Sequence, residues 1–305
     1  QISFYYEGTK KKYMVFHRPV FLNIIMSLSM IPAGLITLIR KKCSDQQTST
    51  KIPQKIWLLC PVAGLLDIIQ CWTLNRSISD VGLQFGSLMV TFDLIFISLI
   101  KRFFLKVPQH GYAIFSICLV VFFTMLTALS DNLSDTAKLD FTDKSQIVTV
   151  CLQFIGEICR SFLFVIEEHV VHNTDMPCET FVTMNGLYNL LISLFMHSPI
   201  AYFVSDSEWG CFHENICTSI EMIINSKSTL FVCFTYLIVS FFLNVTNTRL
   251  IYYTSAINQS ICSAFSASIN WIFESIILLM PKDTPLEYFL DSNKKHDYFY
   301  IIKFV

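Results

Sequence analysis

Residues 229–248 read TLFVCFTYLIVSFFLNVTNT, a stretch without a single charged side chain. A helix needs about 20 apolar residues to cross the hydrocarbon core of a bilayer, so this stretch is long enough for one crossing. Seven further stretches of similar character occur at 20–39, 57–74, 81–100, 111–130, 146–166, 181–204 and 259–280. A soluble protein of 305 residues does not bury eight such helices in succession. The pattern predicts an all-α, polytopic membrane protein in contact with the lipid bilayer.

The composition agrees with this class and argues against several others. Hydrophobic residues make up 53% of the chain and charged residues 15%, and the net charge of −1 offers no basic surface to a nucleic acid. The sequence has no nucleophile motif, phosphate-binding glycine loop or HExxH motif, so we expect neither an enzyme nor a cofactor. The cysteines lack the spacing of a zinc site, so we expect no metal. An intramembrane enzyme without such a motif stays an alternative.

Basic residues are concentrated in two of the loops between the apolar stretches. The loops at 40–56 and 101–110 are rich in lysine and arginine, which places them in the cytosol under the positive-inside rule. The opposite side of the membrane then receives the run Lys10–Lys12 and the loops at 75–80, 131–145, 205–228 and 281–297. We interpret 205–228 as a polar loop, in which Cys211 and Cys217 could form a disulfide.

A weak internal repeat relates two segments of the chain. Arg76–Ile100 (RSISDVGLQFGSLMVTFDLIFISLI) can be aligned with Thr254–Leu278 (TSAINQSICSAFSASINWIFESIIL). If the two copies start on opposite faces, the halves have the inverted topology of many secondary transporters. The alternative is that the alignment does not indicate a repeat, because any two membrane hairpins resemble each other to this extent. Small residues in both copies allow close helix packing, namely Gly82, Gly86, Ser260, Ser263, Ala264 and Ala267.

Polar side chains within the apolar stretches are candidates for a central cavity, because an ionisable group in lipid must face the bundle interior. These candidates are Asp67, Gln84, Asp93, Glu157, Asn244, Asn247 and Glu274. Glu157 also has a structural interpretation, since Arg160 lies three residues further and could neutralise it within one helix. Asp67, Asp93 and Glu274 have no basic residue at helical spacing in their own stretches. Each must be protonated, paired across helices, or open to water, which makes them candidates for proton coupling or substrate contact.

The stretch Gln146–Leu191 resembles a helix pair of a known family. It reads QIVTVCLQFIGEICRSFLFVIEEHVVHNTDMPCETFVTMNGLYNLL. In the drug/metabolite transporter superfamily, and nearest in the F-type members of solute carrier family 35, the sixth helix ends in paired glutamates. A short polar loop follows, and the next helix opens with a glycine. Glu167, Glu168 and Gly186 occupy those positions, and we expect the two glutamates at a wetted, cytosolic helix end.

Two further segments are similar to the same family. LLCPVAGLLDIIQCWTLNRS matches a family pattern of a proline, a later aspartate and a Leu-Asn turn, here Pro61, Asp67, Leu74 and Asn75. FHRPVFLNIIMSLS resembles the start of the family's second helix. The chain departs from the family after Gln84, where Phe85 stands in place of a basic residue. It therefore lacks a positive charge that would suit an anionic substrate.

The resemblance implies ten helices in two five-helix inverted repeats, with both termini in the cytosol. Residues 1–135 would hold helices two to five of the first repeat, without its first helix. Residues 136–305 would hold helices six to nine and the start of the tenth. The implied function is secondary-active transport of a small polar metabolite by alternating access, with proton coupling as an option. Nucleotide-sugar antiport and a non-transporting membrane receptor or scaffold are the alternatives.

The same resemblance bears on location and assembly. We expect an endomembrane location in the Golgi, lysosome or vacuole, with the plasma membrane as the alternative. A small-molecule substrate is the expected partner besides lipid, and a homodimer is left open.

Overall fold

The computed structural model describes residues 2–7, 10–15, 18–43, 54–80, 89–108, 111, 114–123, 144–174, 176–203 and 214–265. An antiparallel hairpin of β1 (Ile2–Glu7) and β2 (Lys10–Val15) pairs Ile2 with Val15. The described helices are α1 (Pro19–Met30), α2 (Ala33–Cys43), α3 (Gln54–Asp80), α4 (Asp93–Phe103), α5 (Ile114–Phe123), α6 (Lys144–Asn173), α7 (Cys178–Ile192), α8 (Ser198–Phe203), α9 (Ile216–Ile224), α10 (Lys227–Tyr253) and α11 (256–265). A 3-10 turn, Val90–Phe92, leads into α4, and a π-helical turn, Ser193–His197, joins α7 to α8.

Four helical segments are apolar and long enough to cross a membrane: Pro19–Arg40, Ile56–Ser77, Ile147–Asn173 and Lys227–Tyr253. Large apolar side chains cover their outer faces. Leu58, Phe231 and Phe242, for example, expose 74%, 71% and 62% of their surface. Such faces suit lipid, whereas in water they would be a large unpartnered apolar surface. The described fold is therefore that of a helical, multi-pass integral membrane protein.

The helices follow the predicted stretches closely where the structure describes them. The stretches at 20–39, 57–74, 146–166 and 229–248 correspond to α1–α2, α3, α6 and α10. The stretch at 181–204 corresponds to α7 and α8. Those at 81–100, 111–130 and 259–280 lie partly outside the described residues, which include α4, α5 and α11. Pro32 separates α1 from α2, because a proline has no N–H to continue the helical ladder.

Three features differ from the sequence interpretation. Helix α6 continues to Asn173, beyond the predicted end at residue 166. Helix α9 occupies part of 205–228, which we had interpreted as a polar loop. It forms because Asn215 caps it, accepting a hydrogen bond from the Cys217 N–H at 2.9 Å, and because Met222 is fully buried. The third is the N-terminal hairpin, whose first strand packs beside α9. Cys211, the other half of the suggested disulfide, lies outside the described residues.

Contacts between helix termini define two ends of the bundle. At the Glu179 end, Arg40 of α2 and Arg249 of α10 both contact Glu179 of α7. The C-terminus of α4 joins α6 at this same end. At the opposite end, the Glu214 end, Glu214 contacts Val20 at the start of α1. The loops at 40–56 and 101–110, both predicted to be cytosolic, begin at this Glu179 end. Two loops on one side of the membrane must begin at the same end of the bundle.

The helices pack closely around a few glycines. Helix α1 packs against α7 and α10, α3 packs against α6 and α7, and α4 packs against α6. A Cβ atom added at Gly186 would lie 2.5 Å from Cβ of Met30. One added at Gly64 would lie 3.0 Å from the backbone nitrogen of Asn189. These short distances show that a side chain at either position would not fit, so the glycines set the spacing between α1 and α7 and between α3 and α7.

Glu214 caps the N-terminus of α1 from a distant part of the chain. Pro19 starts this helix, and Arg18 supplies no side-chain cap. The Glu214 Oε2 atom accepts a hydrogen bond from the Val20 N–H at 2.8 Å, and Oε1 accepts one from the Phe21 N–H at 2.9 Å. Burial raises the pKa of Glu214, although these two N–H donors act against the rise. The buried carboxyl therefore ties the segment before α9 to the start of the first crossing.

Replacing Glu214 with glutamine is expected to lower the free energy of unfolding by about 1–2 kcal/mol. The amide has one acceptor oxygen for two N–H donors, and its own NH2 group faces the second donor. Thermal unfolding in detergent measures the change. Ser219→Ala is the control, because it keeps both bonds from Glu214 to α1 and removes only the bonds of the Ser219 hydroxyl, to Glu214 at 3.4 Å and to the Asn215 carbonyl at 3.2 Å. Equal losses in both variants would contradict the capping role.

Candidate functional site

Three of the predicted cavity residues lie deep in the bundle. Asp67 on α3, Asp93 at the start of α4 and Glu157 on α6 are each no more than 3% exposed. The structure does not describe two other cavity candidates and three packing candidates, which are Gln84, Glu274, Gly82, Gly86 and Ala267. The interior of the described bundle therefore contains two polar clusters, one around Asp67 and one around Arg160.

The Asp67 network consists of Asp67, Asn189, Ser27 and Ser193, from α3, α7, α1 and the π-helical turn. The Asn189 Nδ2 atom donates to Asp67 Oδ2 at 2.8 Å. The Ser27 hydroxyl donates to Asn189 Oδ1 at 2.8 Å, and the Ser193 hydroxyl donates to the same oxygen at 3.2 Å. Asp67 is thus paired across helices with an amide. This network joins three helices at the centre of the bundle.

Two asparagines beside this network have buried side-chain atoms without a hydrogen-bond partner among the described residues. These atoms are Oδ1 and Nδ2 of Asn23, which is 1% exposed, and Oδ1 of Asn185, which is 5% exposed. Asn23 precedes Ser27 by one helical turn, and Asn185 precedes Asn189 by one turn. A buried polar group without a partner costs about 1–3 kcal/mol, so proteins keep few of them. These amides are able to bond a polar ligand.

The Arg160 cluster consists of Arg160, Asp93, Glu157 and Gln153. The Arg160 Nε atom lies 3.0 Å from Asp93 Oδ2, and the Ser161 hydroxyl donates to Asp93 Oδ1 at 3.0 Å. The Gln153 Nε2 atom donates to Glu157 Oε1. The ion pair is therefore formed across helices with Asp93, one of the three options expected for that residue. It is not the pair within α6 that the spacing of Glu157 and Arg160 suggested.

Arg160 also contacts α11, where the described packing candidates lie. Its Nη2 atom donates to the Ser263 hydroxyl at 3.4 Å. Its guanidinium carbon lies 5.2 Å from the centre of the Phe164 ring, within the range of a cation–π contact. Ser260 is fully buried and Ala264 is half-buried on the same helix. Ser263 thus contributes a polar contact as well as small size.

The asparagines of α10 do not join either cluster within the described residues. The Asn244 Nδ2 atom donates to the Ser240 carbonyl of its own helix at 2.8 Å. Asn247 is half-buried on the same helix. Both stay predictions as cavity residues.

The expectation that Glu167 and Glu168 mark a wetted helix end is wrong. Glu168 Oε1 accepts a hydrogen bond from Lys101 Nζ at 2.6 Å, and its Oε2 accepts one from the Ala256 N–H at 2.9 Å. Glu167 is 6% exposed, so its side chain is buried in the bundle. Helix α6 continues past both residues because both side chains lie inside the protein. Glu168 also caps α11, where a negative charge is favourable.

Glu179 was not among the candidates from the sequence. Its Oε1 atom lies 2.5 Å from Arg249 Nη2 and 3.1 Å from Arg40 Nη1. Burial acts to raise the pKa of Glu179, but hydrogen bonds from Arg249 and the backbone and the charge of Arg40 outweigh it, so the pKa is lowered. Its position in the first turn of α7 adds a favourable helix dipole. The residue links three helices at the Glu179 end.

Replacing Glu179 with glutamine is expected to change how stability depends on pH. In the folded state the pKa of Glu179 lies below the ordinary glutamate value of 4.5. Its ion pairs therefore stabilise the protein above about pH 4.5, and this stabilisation is lost as the pH falls through the folded-state pKa. Because both arginines are partly exposed to solvent, we expect about 1 kcal/mol at neutral pH. Thermal unfolding is measured from pH 7 to pH 4 for both proteins, and this pH-dependent stabilisation should be present in the wild type and absent in Glu179→Gln. Identical pH profiles for the two proteins would contradict the prediction.

Comparisons with known proteins do not assign the chain to a family. No family model matches it, and no curated protein matches it either. Among the described residues, no group of three histidine, cysteine, aspartate or glutamate side chains is arranged to hold a metal ion. The resemblance to the drug/metabolite transporter superfamily therefore stays a prediction that rests on the quoted motifs.

Proposed function

We propose that the protein is a secondary-active transporter that moves a small polar metabolite by alternating access. The observation that carries this proposal is the pattern of neighbours among the helices. In the predicted inverted repeat, α1–α2 corresponds to α7–α8, and α3 corresponds to α10. A two-fold axis in the membrane plane would exchange these partners and reverse their direction across the bilayer.

The observed contacts agree with this exchange. The axis would convert the packing of α1 on α10 into the packing of α7 on α3, and both contacts occur. It would likewise convert the packing of α1 on α3 into that of α7 on α10, and these also occur. The contact between α1 and α7 would be converted into itself, so the axis would pass through it. These paired contacts support the two-repeat architecture on which alternating access depends.

The α1–α7 contact also holds the richest group of buried amides and hydroxyls. Ser27 and Asn189 bond to each other there, Asp67 joins them from α3, and Asn23 and Asn185 have unpartnered amide atoms. Inverted-repeat transporters bind substrate near the midplane, where their repeats meet. Asp67 is accordingly the proposed substrate contact.

The charge of the interior favours a neutral or cationic substrate over a nucleotide sugar. Arg160 is the cation beside Asp67 and Glu157, and Asp93 already neutralises it. The acidic side chains nearby, Asp67 and Glu157, have no such cation of their own within the described part of the chain. An anionic substrate would be repelled by the ionised form of Asp67.

Uptake into proteoliposomes tests the proposal. A thermal-shift screen against nucleotide sugars, amino acids, peptides and cationic drugs first identifies a ligand. Labelled ligand is then expected to accumulate in liposomes that contain the protein. Asp67→Asn should reduce uptake by about 10- to 100-fold, as expected for the loss of a charged hydrogen bond to substrate. Lys42→Ala, at an exposed site, is the control. Ligand binding without accumulation would favour a receptor instead, and wild-type uptake by Asp67→Asn would remove Asp67 from the site.

A further inference from the structure

The Arg160 cluster contains one more buried acid than its single cation can neutralise. The guanidinium of Arg160 is engaged by Asp93 at 3.0 Å, by the Ser263 hydroxyl at 3.4 Å and by the ring of Phe164. Its charge is therefore directed towards α4 and α11. The charge of Arg160 also acts on Glu157, three residues earlier on α6, but its ion pair is formed with Asp93.

Apart from Arg160, the groups that interact with Glu157 are neutral or acidic. Its side chain is 2% exposed, and Oε1 accepts a hydrogen bond from Gln153. The Oε2 atom has no hydrogen-bond donor among the described residues, and neither does Oε1 of the fully buried Gln153. The Glu157 and Asp93 carboxyl groups are also close enough to interact with each other. Two carboxyl groups can bond to each other only if one of them carries a proton.

The neighbouring helices strengthen this requirement. The titratable groups that interact with Arg160 and Glu157 are Asp67 and Cys71 on α3 and Asp93 on α4, and α11 contributes the neutral Ser263. All of these groups are acidic or neutral. An ionised carboxylate without a partner is strongly unfavourable in a protein interior. The cluster is therefore stable with one shared proton and unstable without it.

We propose that Glu157 carries an exchangeable proton, which it shares with Asp93, and that this carboxyl pair is the coupling site of the transporter. The proposal rests on the proposed function for its role in transport, but the proton itself does not depend on transport. When the O–H bond of Glu157 breaks, the proton leaves to water and the bonding electrons stay on the carboxylate. Two carboxylates then compete for Arg160, which is within reach of Glu157 at the i, i+3 spacing. Transfer of Arg160 from Asp93 to Glu157 would remove the ion pair that joins α4 to α6 at this point.

Infrared difference spectroscopy of the protein in lipid nanodiscs tests for the proton directly. The wild type should show the carbonyl stretch of a protonated carboxyl at neutral pH, and this band should disappear on titration to alkaline pH. The band should be lost in Glu157→Gln. It should also be lost in Asp93→Asn, because Arg160 is then free to pair with an ionised Glu157. Glu168→Gln is the matched control, since Glu168 forms an ion pair with Lys101 outside this cluster, and this variant should retain the band.

Several outcomes separate this inference from its alternatives. A band that persists in Glu157→Gln and disappears in Asp67→Asn would assign the proton to Asp67 and overturn the proposal. Absence of any such band in the folded wild type would also overturn it, as would loss of the band on adding sodium at constant pH. Glutamine imitates a protonated glutamate, so Glu157→Gln should fold, and its thermal unfolding should show a weaker dependence on pH than the wild type. If the band titrates but the protein moves no substrate, the shared proton is supported and only the proposed transport function is contradicted.

Discussion

Replacing Arg160 with methionine is expected to lower the free energy of unfolding by about 3–5 kcal/mol, because it leaves Asp93 as a buried charge without a cation. Asp93 is fully buried, and its Oδ2 atom lies 3.0 Å from Arg160 Nε. The remaining Ser161 hydroxyl cannot compensate a full charge. The substitution also removes the contact with the Phe164 ring and the bond to Ser263. Denaturant or thermal unfolding in nanodiscs measures the loss.

A double-mutant cycle separates the ion pair from the other contacts of Arg160. Asp93→Asn combined with Arg160→Met leaves no buried charge at the pair, so the double variant should be more stable than Arg160→Met alone. Arg40→Met is the matched control, because Arg40 pairs with Glu179 at 3.1 Å but is 62% exposed, and a pair of this kind contributes at most about 1 kcal/mol. Similar losses for Arg160→Met and Arg40→Met would contradict the buried ion pair.

The sequence predicted the crossings better than the segments between them. An apolar stretch of bilayer length has few alternatives to a helix, since each backbone polar group in lipid must be bonded within its own segment. The stretches at 57–74 and 229–248 accordingly became α3 and α10. Helix α9 was missed because it has only nine residues, too few for a crossing, and lies among polar residues that indicate a loop. Its cap at Asn215 is a signal that could have identified it.

The candidate site shows a different limit of sequence reasoning. The sequence identified Asp67, Asp93 and Glu157 as interior residues, because their cost in lipid forces them inwards. It could not identify their partners, since these depend on the rotation of each helix about its axis. The i, i+3 spacing therefore indicates a pair between Arg160 and Glu157 within α6, whereas the packing of α4 brings Asp93 to Arg160. The i, i+4 spacing of Asn185 and Asn189, by contrast, was a usable signal for the polar face of α7.

The same reasoning applies to the orientation of the crossings. Gly156 of α6 packs on Thr73, near the C-terminal end of α3, whereas Glu168 of α6 bonds to Ala256. At a rise of 1.5 Å per residue these two positions on α6 are about 18 Å apart. The segments that follow Arg76 and Thr254, which form the internal repeat, therefore start at different depths of the bundle. This separation supports the inverted arrangement, which labelling of single cysteines from each side of the membrane would test.

Replacing Gly186 with alanine is expected to lower the free energy of unfolding by about 1–3 kcal/mol, the usual cost of an extra methyl group in a tightly packed interior. Its Cβ atom would lie 2.5 Å from Cβ of Met30 and 3.0 Å from the carbonyl oxygen of Ser27. Neither atom is the end of a flexible side chain, so α1 and α7 must move apart. The separation would stretch the 2.8 Å bond between Ser27 and Asn189, which holds the Asp67 network together.

A matched glycine elsewhere distinguishes this clash from a general effect of alanine. Gly111 is helical and exposed, and an added Cβ there meets nothing within 4 Å. Because alanine has the higher helix propensity, Gly111→Ala should be neutral or slightly stabilising. Thermal unfolding in detergent compares the two variants under one condition. Because the α1–α7 contact is also where the proposed axis lies, Gly186→Ala should reduce substrate uptake more than its loss of folded protein accounts for. Two variants of equal stability would show that α1 and α7 are not in the close contact on which the Asp67 network depends.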